Sequence, residues 1–381
     1  MRHIIALLIC CFVVINVNAE SGVCQQRNCL AVVDSGSTGS RLHIYAYDLD
    51  SHQHPVQISE LWSKKIKPGL AMIDSDPQAL DAHLTALFTG APEDHMPVYF
   101  FATAGMRLIS KVRQQAVYQS IQQWFVTQPQ WKLMEATTIT GQEEGVYGWL
   151  AVNYKLGAFG ASGTTQHTLV GVMDMGGASV QITFPVQNTE KINPNDIYNI
   201  DVNGHHFVLF AHSFLGLGQT LLSQQFLDER SCFANGYQLP SHLSAKGDAF
   251  FCQYDVSKLI NSVHGVNHIV KQPIAANAVD DWYTIGGIAP LVEDKLFGFS
   301  DQQFTNQRLL EQADIQICHQ SWQALITQFP ENEYLYGYCL SASYYYALMV
   351  DGYGLKPDQP VNYMPSGQDI DWTLGVVLHQ H

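Results

Sequence analysis

Apolar positions recur along the chain with two periods, and the switches between them mark its elements. Residues 30–33 (Leu-Ala-Val-Val) form an unbroken apolar run, which predicts a buried strand ending on Asp34. Beyond Ser35-Gly-Ser-Thr-Gly-Ser40 and Arg41, the residues Leu42, Ile44 and Ala46 alternate with His43, Tyr45 and Tyr47, the period of a second strand. The pair makes a hairpin whose tip holds two glycines and four hydroxyls. Further strands are expected over 56–66, 97–102, 134–140, 168–174 and 196–215, and at 283–288, where the run meets Gly286-Gly287. Apolar spacings of three and four predict helices after Asp76, from Ser110 (as cap) to about Thr127, and from Gly141 to about Leu156. They also predict helices over 217–229, in one long stretch over 305–328, over 339–350, and briefly after Asp371. Residues 157–167 are rich in Gly, Ser and Thr and read as a surface loop. Residues 230–275 hold two cysteines and many turn formers and read as a long insertion.

The first hairpin has a second copy. Thr168-Leu-Val-Gly-Val-Met-Asp174 again ends an apolar run on an acid. A loop with Gly176, Gly177 and Ser179 follows, and alternation resumes at Val180, Ile182 and Phe184. One such hairpin is an ordinary turn. Two suggest a duplicated α/β lobe, each copy giving one loop to a shared cleft. Glycine lets the backbone approach a ligand closely, and successive N–H groups form a nest for anionic oxygens such as those of phosphate. An Asp at each strand end suits a hydrated divalent cation.

Composition narrows the partners. The formal net charge is −15, which argues against nucleic acid and anionic membranes. An anionic substrate must then be held locally, by backbone N–H groups, a metal and a few placed cations. Residues 1–19 have a basic start at Arg2, an apolar stretch over 4–17 and a small-residue site at Val17-Asn18-Ala19. They read as a cleaved secretory signal, being short for a membrane span. No later stretch reaches spanning length, so no membrane anchor is expected after cleavage. Beyond the signal the cysteines are Cys24, Cys29, Cys232, Cys252, Cys318 and Cys339, an even count that suits three disulfides in an exported chain. Fifteen pairings are open, and proximity favours Cys24–Cys29, Cys232–Cys252 and Cys318–Cys339. No spacing suits a zinc site, and His205–His206 reads as strand surface.

Two phosphate loops require a catalyst. Glu143 and Glu144 fall in the first turn of a predicted helix, where the dipole favours the carboxylate form a general base needs. Position alone does not choose between them. Thr103 and Gly105, after the strand over 97–102, suit phosphate contact, and Arg107 suits either a phosphate or an internal acid. Gln181 is placed to hold an attacking water, or to be a polar residue of the sheet face. Trp372 suits the cleft or the core. Tyr344, Tyr345 and Tyr346 lie in an apolar helix, where tyrosines usually belong to the core, though a nucleobase also needs a flat apolar face.

Five segments, Asp34-Ser-Gly-Ser-Thr-Gly-Ser-Arg, Ala102-Thr-Ala-Gly-Met-Arg, Gly141-Gln-Glu-Glu-Gly-Val-Tyr-Gly-Trp, Asp174-Met-Gly-Gly-Ala-Ser and Trp372-Thr-Leu-Gly, stand in the order of the five apyrase regions. The chain resembles the ecto-nucleoside triphosphate diphosphohydrolases (ecto-apyrases), of the soluble secreted type, over about residues 30–375. The resemblance implies an α/β fold of two RNase-H-like, actin-like lobes. Their mixed sheets would be flanked by helices, with the active site in the cleft between them. It implies a first lobe of residues 20–156, with 362–381 returning to it, and a second lobe of 157–361. The implied reaction takes nucleoside tri- and diphosphates to the monophosphate with Ca²⁺ or Mg²⁺. The family's base falls on Glu144. Its phosphate loops fall on Ser35, Gly36, Ser37, Thr38 and Gly39, and on Gly176, Gly177, Ala178 and Ser179. Ser179 joins Glu144 and Gln181 around the attacking water. The metal-site acids fall on Asp34 and Asp174, acting mainly through water, and base stacking falls near Tyr345, with Tyr346 as its neighbour. Against membrane-bound relatives the chain has fewer cysteines and no anchoring helices. A secreted or periplasmic monomer is expected. The alternatives are a small-molecule kinase, an exopolyphosphatase that ignores the nucleoside, and a nucleotide-binding protein without turnover.

Overall fold

The computed structural model describes residues 22–73, 76–92, 95–159, 168–368 and 370–380. The signal segment lies outside them, as do residues 160–167 of the predicted loop. The first sheet holds β1 (Asn28–Ser35), β2 (Ser40–Leu49), β3 (Pro55–Ile66), β4 (Met96–Ala102) and β5 (Trp131–Thr138), in the order β3-β2-β1-β4-β5. Strands β1, β2 and β3 pair antiparallel, while β4 and β5 add in parallel. Helices α1 (Pro77–Phe88) and α2 (Lys111–Val126) supply the crossovers. Their starts were legible: Asp76 caps α1 and Ser110 caps α2 through side-chain oxygens.

The second sheet repeats this plan. Strands β6 (Gly171–Met175), β7 (Ser179–Pro185) and β9 (His205–Leu215) are antiparallel, and β10 (Trp282–Gly286) and β12 (Pro360–Tyr363) add in parallel. Edge strands β8 (Ile197–Val202) and β11 (Gln303–Thr305) complete the order β11-β12-β10-β6-β7-β9-β8. The five-strand pattern of antiparallel triplet plus parallel pair is therefore built twice. In each copy the glycine-rich hairpin joins the first two strands, so both loops emerge at the same end of their sheets.

Between the sheets lie α3 (Gly141–Lys155) and the last helix, α10 (Trp372–His379), packed on one another. Helix α3 packs on β6, β7 and β9, and α10 packs on β1 and β2. Their side chains share one buried cluster with both sheets, including Leu30, Val32, Tyr45, Trp149, Val172, Leu209, Leu374 and Val377. A separate cluster fills the first lobe's outer face, and a larger one fills the second lobe.

The second lobe's helices depart from the periodicity reading. The helix expected over 217–229 is confined to α4 (Gln219–Gln225), because Phe226 leaves helical geometry. The supposed insertion over 230–275 holds α5 (Ala249–Lys258) and α6 (Val266–Ala276). Their buried faces, Cys252, Val256, Val266 and Val270, belong to the core. Turn-forming residues masked this pattern, and Pro273 sits inside α6. The single helix over 305–328 is broken: α7 (Asn306–Ala313) widens over Asp314–Cys318, and α8 (Trp322–Gln328) starts anew after an extended Ser321. Helix α9 (Tyr338–Tyr346) widens over Ala347–Gly352. Strands β11 and β12 carried too few alternating residues to be read. Among the described residues the disulfides are Cys24–Cys29, Cys232–Cys252 and Cys318–Cys339. Among the described residues no helix is long and apolar enough to cross a membrane.

Candidate active site

The two hairpin tips face one another across a cleft of about 470 Å³. The first loop closes on itself through Gly36 N–H to Gly39 O (2.9 Å). Gly69 buttresses it so closely that a Cβ there would stand 2.5 Å from Gly36 O. The second loop is gripped by α4, since Gln219 N–H donates to Gly176 O (3.0 Å) and Thr220 N–H to Gly177 O (2.9 Å). Gly218 permits this approach, because a Cβ there would lie 2.3 Å from Ala178 N. Gly36, Ser37, Thr38, Gly39, Gly176, Gly177, Ala178, Ser179 and Thr103 all line the cleft. Ser35 does not: its hydroxyl is buried against Ser40 Oγ (3.0 Å), which also meets His83 Nε2 (3.1 Å).

The two glutamates divide cleanly. Thr140 caps α3, accepting from Glu143 N–H, while the Glu143 carboxylate accepts from Thr140 N–H (2.7 Å) and Oγ1 (2.8 Å). That capping box spends Glu143 on the helix end. Glu144, one residue on, is turned inward, 7% exposed, and lines the cleft. It accepts a charge-assisted hydrogen bond from Arg107 and one from Gln181 Nε2 (3.1 Å). Gln181 Nε2 is also within reach of Ser179 Oγ (2.8 Å) and Ser213 Oγ (3.0 Å). Its Oε1 is buried with no partner. Burial raises the Glu144 pKa, and the Arg107 guanidinium opposes that rise.

Asp34 and Asp174 sit on the cleft floor. Burial, then the charges of Asp371 and Glu144, push Asp34 up to about 7, against His43 and Arg41. Burial, with Glu144, Asp371 and Asp34 nearby, raises Asp174 well above the carboxylate range. Asp34 Oδ1 is buried without a hydrogen-bond partner. Crowded carboxylates with an orphaned oxygen and no soft ligands fit a hard divalent cation. Among the described residues no group of three or more His, Cys, Asp or Glu is arranged to hold a metal directly.

Asp371 was not singled out from the sequence. It caps α10 through Thr373 N–H (2.9 Å) and meets His43 Nε2 at 3.1 Å. His43 is fully buried and meets Glu60 Oε1 (2.5 Å) on its other side. Burial alone would lower its pKa, but Asp371 and Glu60 raise it to about 10. Arg41 and Lys65 also line the cleft unanticipated. Their signal was the strand register, which puts Arg41 opposite Asp34 and Lys65 opposite Arg41. Trp372 is 3% exposed, near Tyr147 and Phe101, and touches the cleft edge. The structure does not bring Tyr345 or Tyr346 to the cleft wall. Tyr345 is fully buried one layer behind it, its hydroxyl donating to Gln219 Oε1 (3.0 Å), and the cleft surface there is Gln219, Gly287, Pro290 and Met364.

The GDA1/CD39 (nucleoside phosphatase) family profile matches residues 23–240 and 246–381. The chain is 25% identical to probable apyrase 3 of Arabidopsis thaliana, over 94% of this chain and 84% of the other. It is 26% identical to ectonucleoside triphosphate diphosphohydrolase 1 of Bos taurus, over 91% of this chain and 80% of the other. The solved structure of a nucleoside triphosphate hydrolase from Neospora caninum superposes with a TM-score of 0.65 at 15% identity, covering 92% of each chain, a likeness of fold. Two actin-like lobes, paired glycine-rich hairpins facing one cleft and a match along nearly the whole chain converge: the chain belongs to the GDA1/CD39 family and is a nucleotide phosphohydrolase.

Proposed function

We propose that the enzyme hydrolyses the terminal phosphoanhydride of nucleoside 5′-triphosphates and diphosphates, releasing orthophosphate down to the monophosphate. The observation that carries this is the inward Glu144, held by Arg107 and Gln181 at the floor of a cleft walled by two phosphate loops. Glu144 takes a proton from a water whose oxygen attacks the terminal phosphorus. The anhydride bond breaks on the opposite side, and its electron pair leaves with the nucleoside di- or monophosphate. Gln181 orients that water, through the amide oxygen that has no other partner. Ser179 fixes the amide, and Arg107 keeps the carboxylate ionised and aimed. Backbone N–H groups of the two loops hold the transferring oxygens. Ca²⁺ or Mg²⁺, held through water by Asp34 and Asp174, would offset the charge gathering on those oxygens.

The wider reading assigns residues 1–19 to export, to the periplasm or beyond, and a monomer as the working form. It assigns 20–156 with 362–381 to one lobe and 157–361 to the other. The test is phosphate release from ATP, ADP and AMP, with Ca²⁺, Mg²⁺ or chelator, beside Glu144→Gln. Metal-dependent release from ATP and ADP but not AMP, lost in the variant while nucleotide still binds, is expected. Release from inorganic polyphosphate alone, or binding without release, refutes the reading.

A further inference from the structure

The hairpin register sets three charged residues in a row across the first sheet. Asp34 on β1 pairs with Arg41 on β2, and Arg41 pairs with Lys65 on β3. Directly opposed residues of antiparallel strands project from the same face. The row lies one residue below the first phosphate loop, and all three side chains line the cleft. The Lys65 stem runs beside the loop: a Cβ on Gly39 would stand 3.3 Å from Lys65 Cε. Lys64, the next residue, projects the other way, its ammonium donating to Ala86 O (2.7 Å) and Thr89 O (2.9 Å).

Charge balance sharpens the assignment. The cleft holds four carboxylates, Asp34, Glu144, Asp174 and Asp371, in a chain of formal net charge −15. A nucleoside polyphosphate entering it needs cations that are not already committed. Arg107 is committed to Glu144. Arg41 stands 4.0 Å from Asp371. Of the two acids whose charge reaches Lys65, Asp34 is an acid of the cleft floor and Asp371 is engaged by His43 and by the α10 cap. The Lys65 ammonium makes no hydrogen bond or ion pair among the described residues. Desolvation and the neighbouring Arg41 lower its pKa, against the charges of Asp34 and Asp371.

We propose that Lys65 is a phosphate-binding residue of the cleft, reaching past Gly39 to the phosphoryl oxygens that the two backbone loops leave uncovered. This rests on the nucleotide reading of the same cleft. Hydrolysis places the scissile anhydride of a triphosphate and of a diphosphate on the same catalytic atoms, so a residue beside the first loop acts on both substrates alike. Lysine serves here as a point charge, without the forked geometry of arginine.

The test compares Lys65→Met, Lys65→Arg and Lys64→Met in the full chain. The readouts are KM and kcat for ATP and ADP, and calorimetric affinity for the non-hydrolysable β,γ-imido analogue of ATP. In Lys65→Met the KM is expected to rise about tenfold or more for both nucleotides, with kcat changed less than about threefold. Analogue affinity should fall in parallel, and the decline of kcat/KM with added salt should become shallower. Lys65→Arg should restore most of the affinity, and Lys64→Met should behave as the unaltered enzyme. Unchanged KM and analogue affinity in Lys65→Met would overturn the assignment, as would a rise confined to one nucleotide or an equal effect of Lys64→Met. Thermal melting of each variant separates these results from loss of fold. An unaltered enzyme that releases no phosphate from ATP or ADP would fail the nucleotide reading itself, whereas an active enzyme indifferent to Lys65 would fail the Lys65 assignment alone.

Discussion

Neighbouring glutamates with opposite surroundings allow a crossed experiment. Glu143→Ala removes an acceptor from two hydrogen bonds at the start of α3, to Thr140 N–H and Oγ1. Losing half of a capping box costs about 1 kcal/mol, and a melting shift of only about 1–3 °C in a chain of this size. Its kcat should stay within about twofold, because the carboxylate does not line the cleft. Glu144→Gln keeps an amide oxygen for Arg107 and Gln181 to donate to, so the fold should survive with little change in melting temperature. It removes the one carboxylate that, among the described residues, accepts from both Arg107 and Gln181, and the loss of a positioned base slows turnover about 10²–10⁴-fold, or about 3–5 kcal/mol on the barrier. The assay pairs initial rates of phosphate release with melting by circular dichroism, on both variants and on the double substitution. The reasoning predicts an activity loss confined to Glu144 and a stability loss confined to Glu143. Near full turnover in Glu144→Gln, or a comparable kcat loss in Glu143→Ala, would refute it.

Further outcomes follow from other contacts. A Cβ at Gly375 would stand 2.1 Å from Tyr147 O, so Gly375→Ala must force α10 off α3, with an expected loss of about 3 kcal/mol measured by urea unfolding. His43 has its pKa raised above the ordinary histidine value to about 10 in the folded state. Its contribution, at most about 5 kcal/mol, is therefore fully present below pH 6.5 and lost as pH rises toward 10. Unfolding free energy should fall across that window, and His43→Gln should flatten the fall; an unchanged slope would contradict the buried ion pair. Replacing Cys232 and Cys252 by Ser opens a bridge with a sequence separation of 20 and should cost about 3 kcal/mol, read under non-reducing conditions as a lowered denaturation midpoint that reductant, by opening Cys24–Cys29 and Cys318–Cys339, lowers further.

The first lobe was legible nearly throughout, because its signals are local. An apolar run ending on Asp34, a glycine hairpin and the caps Asp76 and Ser110 each act within a few residues. The second lobe resisted where tertiary context overrides periodicity. Helices α5 and α6 bury small or branched residues such as Val256 and Val270 among turn formers, and α7 breaks at Cys318, whose disulfide partner lies on α9. The same division runs through the site. Backbone loops and first-turn acids could be read off the chain. Lys65 and Arg41 needed strand register, Asp371 needed the path of the last helix, and the burial of Tyr345 needed the packing of α9 against α4.

The closing position of α10 has a consequence for how the protein is made. The first sheet and α3 are synthesised early, yet the helix that fills the space between them arrives with residues 372–379. Until then Leu30, Val32, Tyr45 and Trp149 lack part of their apolar cover, and Asp371 has not joined the cleft. The nascent chain must wait, half-assembled, while more than two hundred residues of the other lobe emerge from the ribosome. Folding that depends on so distant a contact is slow, and the waiting state exposes sticky surface. The final helix thus acts as a checkpoint: a chain interrupted before it carries both glycine-rich loops and Glu144 but has no completed cleft around them.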